Sequence, residues 1–196
     1  MKECTDFQLN LGGKQVLVCW GCGIHEIEML PEQAWINMIS SLKEYGQWAD
    51  RRDVLISLEL DPHVYYVVNN TNKMAKVIED TKLPNIFANV DIGHLCMTRE
   101  GPETLEKFKE RIIHAHISET NNFKHTNSII GSGNVDFEPY INKILDIGIE
   151  KNCAKLDEVP VASIEMGEPG TKVARPNQWI KVSIEYLSNT LPNVNL

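Results

Sequence analysis

The sequence predicts a parallel α/β fold in which strand–helix units follow one another within a single domain. Three observations carry that expectation. Short β-rich apolar runs alternate with stretches of helical period. The runs are almost continuously apolar, as strands covered on both faces are. The 196 residues suffice for one sizeable core, and no low-complexity linker or shift of composition divides them. Strand–helix–strand alternation then argues a parallel sheet.

The elements run in this order. Leu9-Asn10-Leu11-Gly12-Gly13 reads as the last turn of a helix with a glycine C-cap, leading into a first strand at Gln15–Trp20. Helix Pro31–Ala49 follows, then strand Val54–Leu60 and helix Asn72–Lys82. Strand Ile86–Asp91 precedes helix Pro102–Glu110, and strand Ile112–Ile117 precedes helix Glu138–Ile147. A further strand falls within Ile147–Cys153, before strand Ala162–Met166 and helix Pro176–Leu191. A proline in the first helical turn costs nothing, because its missing N–H would have no intrahelical partner. The whole amounts to about six βα units.

Composition narrows the partners. Hydrophobic residues make up 42% and charged residues 23%, the proportions of an ordinary globular chain. Asp and Glu number 27 against 19 Lys and Arg, a net charge of −8. Nucleic-acid binding leans on Lys/Arg clusters that displace counterions, and none is present, so nucleic acid is not an expected partner. No apolar run approaches the roughly 20 residues that span a bilayer, and Met1-Lys2-Glu3-Cys4-Thr5-Asp6 has no signal-peptide character. Five scattered cysteines form no disulfide framework, which points to a reducing, cytoplasmic setting. Cys19-Trp20-Gly21-Cys22 has Cys-x-x-Cys spacing, but no second pair answers it, and it ends a strand.

The polar residues fall in a pattern. Glu59, Asp91, His116 and Glu165 each stand at the C-terminal end of a different predicted strand, the edge at which parallel α/β folds build their sites. A carboxylate closing a buried strand must be paired or metal-bound, because an isolated buried charge is expensive. Glu59 is therefore either a metal ligand or a strand-end glutamate paired to a helix. Asp91-Ile92-Gly93-His94 offers an acid and an imidazole across a turn, for a metal or as an Asx turn. His114 and His116 share one face of a strand. His116, nearer the end, is the expected ligand, and His114 is read as a residue beneath it that is either packed or in contact with the ligands from behind. Trp20 is a candidate for lining the pocket.

Ser57-Leu58-Glu59, Val90-Asp91-Ile92-Gly93-His94, His114-Ala115-His116-Ile117-Ser118-Glu119, Gly131-Ser132-Gly133-Asn134-Val135-Asp136-Phe137 and Ser163-Ile164-Glu165 together resemble the xylose isomerase-like superfamily of sugar isomerases and epimerases. The resemblance implies a TIM barrel, here incomplete and lacking its first two βα units. It implies metal ligation by Glu59, Asp91, His116 and Glu165, and substrate binding by His94. The His-Ile-Ser-Glu stretch leans toward the ketose 3-epimerase branch. Other members carry a second Asp-x-His, where this chain has Phe123-Lys124-His125; His125 is kept as a substrate-binding candidate. Asn121 and Asn122 stand where that branch has an arginine, which leaves the sugar open.

The implied reaction moves a proton at a carbon beside a carbonyl, through a metal-stabilised enediolate, with Glu59 and Glu165 as the acid–base pair. An oxygen-rich set with one imidazole suits Mn²⁺ or Mg²⁺, and Zn²⁺ or Co²⁺ also match it. The substrate is a small sugar or sugar phosphate. An inosose-dehydratase-like lyase and a non-catalytic degenerate barrel are the alternatives. Open sheet edges would leave the chain to form a homo-oligomer or to meet a partner that completes the barrel.

Overall fold

The computed structural model describes residues 1–19, 29–121, 124–167 and 175–191. Helix α1 (Lys2–Asn10) leads into strand β1 (Gln15–Cys19), and helix α2 (Pro31–Asp50) into β2 (Leu55–Glu59). Helix α3 (Thr71–Thr81) precedes β3 (Ile86–Asp91), which passes directly into the short helix α4 (Ile92–Thr98). After a 3-10 turn at Pro102–Phe108 come β4 (Ile112–Ser118) and a small antiparallel pair, β5 (Thr120–Asn121) with β6 (Lys124–His125). Helices α5 (Phe137–Asp146) and α6 (Ile149–Lys155), strand β7 (Val161–Glu165) and helix α7 (Pro176–Thr190) complete the order.

The main sheet has five strands in the order β1-β2-β3-β4-β7, every neighbouring pair parallel. Among the described residues it is an open, TIM-barrel-like arc with β1 and β7 at its edges. All residues of β2 and β3 are buried, as their unbroken apolar runs require. Helix α2 lays Ala34, Met38, Leu42, Tyr45 and Ala49 on the sheet at helical spacing. Gly46 lets it approach closely, since a Cβ there would lie 2.4 Å from Leu83 Cδ1. Asn70 caps α3 by accepting from the Lys73 amide at 2.9 Å.

Two expectations are corrected. The strand expected within Ile147–Cys153 is helix α6, so the main sheet has five strands rather than six. Gly148, at φ +92, breaks the chain from α5, and Ile149, Asn152 and Cys153 are buried at helical spacing. The helix expected at Pro102–Glu110 is the 3-10 turn. Of the described residues, no helix is long and apolar enough to cross a membrane. Trp20 and Cys22 lie outside the described residues.

Register sets the polar layers. Cys19 pairs with Glu59, Asp91 with His116, and Ser118 with Glu165, which brings these strand ends to one rim. Between Ala88 and Asn89 the register shifts, so that Asn89 faces His114 instead of Ile113.

Candidate metal centre

The rim draws the four expected ligands together. Glu59, Asp91, His116 and Glu165 each offer a ligand atom, and those atoms all lie within 4.8 Å of one another. His116 Nδ1 stands 2.8 Å from Glu59 Oε1, 2.9 Å from Glu165 Oε2 and 3.9 Å from Asp91 Oδ2. Short as two of these distances are, the ring nitrogen points squarely at none of the oxygens. His116 Nδ1 and Asp91 Oδ2 are both buried with no hydrogen-bond partner among the described residues. Buried polar atoms are ordinarily satisfied, and two orphans facing one point mark a place for a cation. Three carboxylates around one imidazole fit a divalent ion such as Mn²⁺ or Mg²⁺, and Zn²⁺ or Co²⁺ equally.

The electrostatics tell the same story. Burial works against a charge on His116, but Glu165 and Glu59 outweigh it and push the ring up to about 10. Burial raises the Asp91 carboxyl to about 6, against hydrogen bonds from Ser118 and the His94 amide. Glu59 is raised by burial, with His116 opposing. Glu165 is lowered, chiefly by His116. Without a metal, the imidazolium is the cation of the cluster, and a metal must displace its proton.

The neighbours hold each ligand in place. Asp91 caps α4, its Oδ1 accepting from the His94 amide at 2.8 Å and from the Ser118 hydroxyl. It is therefore both Asx cap and candidate ligand, through different oxygens. Asn127 donates to Glu165 Oε1 at 3.0 Å, and Asn89 to Glu59 Oε1 at 2.8 Å. Glu119 is fully buried and accepts from the amides of Thr120, Gly131 and Val135, which binds the 126–135 loop to the end of β4. A Cβ at Gly133 would lie 2.0 Å from Thr120 O, so only glycine lets the loop come this close. Sequence reasoning gave Asn89, Asn127 and Ser118 no role. The signal available for Asn89 and Ser118 was their even spacing from Asp91 and His116 along one strand face.

His94 and His125, the two substrate-binding candidates, are brought together. His94 Nε2 lies 2.7 Å from His125 Nε2, and His94 Nδ1 lies 2.9 Å from the Leu60 carbonyl. His63 is exposed, its ring edge-on to His125. Asn121 is exposed at the same rim, while Asn122 and Trp20 lie outside the described residues.

The sequence matches the family described as xylose isomerase-like TIM barrel over residues 1–189. An uncharacterized protein of Methanocaldococcus jannaschii is 28% identical over 118 residues, 58% of this chain and 40% of that protein. The match thus spans well under two thirds of that relative's length. Among solved structures, an IolI protein with a zinc atom bound superposes with a TM-score of 0.79 at 19% identity, over 100% of this chain and 69% of its own. A D-tagatose 3-epimerase-like protein gives 0.77 at 22% identity, over 99% and 69%. An L-ribulose 3-epimerase gives 0.75 at 18% identity, over 97% and 65%. At such identities the likeness is one of fold.

Proposed function

The chain belongs to the xylose isomerase-like TIM barrel family, and on that premise we propose that it isomerises or epimerises a small sugar or sugar phosphate. The metal ligands of this reading are Glu59, Asp91, His116 and Glu165. One observation carries it: four polar side chains from four strands converge, and two of their buried atoms meet no partner. The zinc atom of the IolI structure and the epimerases among the fold neighbours support it.

A divalent cation bound there supplies Lewis-acid polarisation of a carbonyl and the hydroxyl beside it. Glu59 and Glu165 flank His116 from β2 and β7, and in this reading they face two sides of a substrate carbon. One takes the proton and the other returns it. Burial raises Glu59 while His116 lowers Glu165, and carboxylates driven apart in this way divide the roles of base and acid. Glu59 is the stronger base. The Leu60 carbonyl only accepts, so His94 Nδ1 carries a hydrogen, and in the neutral ring Nε2 accepts. It therefore takes a hydrogen bond from a substrate hydroxyl, in place of the one His125 now gives it. The edges β1 and β7 favour a second copy or a partner that covers them.

The test is exchange of a sugar C–H with deuterated water, followed by NMR across ketoses and aldoses with Mg²⁺ or Zn²⁺ added. Exchange with one sugar, abolished by a chelator, is expected. Failure with every sugar at full metal occupancy would contradict the reading.

A further inference from the structure

Two residues below the rim, on the same face, β3, β4 and β7 carry a second polar row that joins Glu59 of β2. Glu59 Oε1 accepts from Asn89 Nδ2 at 2.8 Å. Asn89 Oδ1 lies 2.7 Å from His114 Nδ1, and His114 Nε2 lies 3.1 Å from Ser163 Oγ. The row crosses β2, β3, β4 and β7, and it exists because the register shift at Ala88/Asn89 sets Asn89 level with His114.

The direction of every bond follows from one end. Glu59 Oε1 takes the Asn89 NH₂, which leaves the Asn89 carbonyl, an acceptor only, to His114. His114 must then carry its hydrogen on Nδ1 and accept on Nε2, from the Ser163 hydroxyl. Asn89 is fully buried, so an amide turned the other way would set its oxygen against the Glu59 carboxylate with no water to separate them. The chain of donors runs one way only, toward Glu59.

We propose that Asn89 is the positioning residue of Glu59, oriented by His114 and Ser163 so that its amide pins the carboxylate against the metal site. The terminal torsion of a glutamate is broad, so a carboxylate without such a donor samples many orientations. Its consequence for turnover rests on the isomerase reading, whereas its consequences for metal affinity and for the His114 tautomer do not.

Three readouts test it. In ¹⁵N NMR of the metal-free protein, His114 is expected as the Nδ1–H tautomer. In Glu59→Gln, whose amide can donate as well as accept, the constraint is released and the Nε2–H form should appear. Asn89→Leu should weaken Mn²⁺ binding by about 10–100-fold in calorimetry, and slow sugar exchange by a similar factor with KM little changed. Ser163→Ala should keep the Nδ1–H tautomer, which the Asn89 carbonyl sets, but weaken Mn²⁺ binding by less than Asn89→Leu does, while Ser163→Thr, which keeps the hydroxyl, should hold the wild-type affinity. An Nε2–H tautomer in the wild type, or a folded Asn89→Leu protein with unchanged Mn²⁺ affinity, overturns the proposal. If the tautomer and affinity come out as stated but no sugar exchanges, the positioning stands and the isomerase reading falls.

Discussion

Strands β2 and β7 end on the same pattern, Ser57-Leu58-Glu59 and Ser163-Ile164-Glu165, yet their glutamates meet different surroundings. Strand β2 lies between β1 and β3 with every residue buried, and the Glu59 side chain is 6% exposed. Strand β7 is an edge, exposed at Val161 and Ala162, and the Glu165 side chain is 35% exposed. Both carboxylates touch His116. Burial wins at Glu59 and raises its carboxyl; the imidazole wins at Glu165 and lowers it. Local sequence puts a carboxylate at the rim, and position in the sheet decides its basicity.

The sharpest way to break this comparison is to neutralise its buried end. Glu59→Gln should slow sugar exchange by about 10²–10⁴-fold, while Mn²⁺ still binds with reduced affinity. Equal rates in wild type and variant would remove Glu59 from the chemistry.

Packing should separate the two strands as strongly. Leu58→Ala, at a fully buried site, should cost about 2–5 kcal/mol in urea denaturation, whereas Val161→Ala on the half-exposed edge should cost under about 1 kcal/mol. Equal costs would mean that β7 is covered in solution, as an oligomer would cover it.

A smaller effect is expected from the residue that steadies Glu165. Asn127→Ala removes the amide that donates to Glu165 Oε1, and should weaken Mn²⁺ binding by about tenfold. Calorimetry reads the change directly.

The smallest effect concerns pH. Asp91 is raised to about 6 in the folded protein from 3.8. The folded state therefore binds this proton more tightly, and the metal-free protein loses stability as pH rises from about 4 through about 6. Asp91→Asn, which carries no such charge, should melt a few degrees above wild type at pH 8 and no higher at pH 4, while binding Mn²⁺ less well. A wild type that melts higher than the variant at pH 8 without metal would contradict this sign.

The strands that build the site were legible because each is a short, mainly apolar run, fully buried in β2 and β3, closed by an acid or an imidazole. Ile147–Cys153 misled because a short apolar stretch fits a strand or one face of a helix equally well. Helix α4 was hidden because Asp91-Ile92-Gly93-His94 reads as a turn, and it is Asp91 that starts the helix by capping it. His114 was placed correctly beneath His116, but its partners were not legible. Asn89 and Ser163 meet it only through cross-strand register and a bulge, which no single strand encodes.

Anomalous diffraction from a Mn²⁺-soaked crystal tests most directly whether one cation is held by the four strands. A single peak at bonding distance, about 2.0–2.2 Å, from Glu59, Asp91, His116 and Glu165 is the predicted result. An ion bound elsewhere, with His116 still set between the two glutamates, would contradict it.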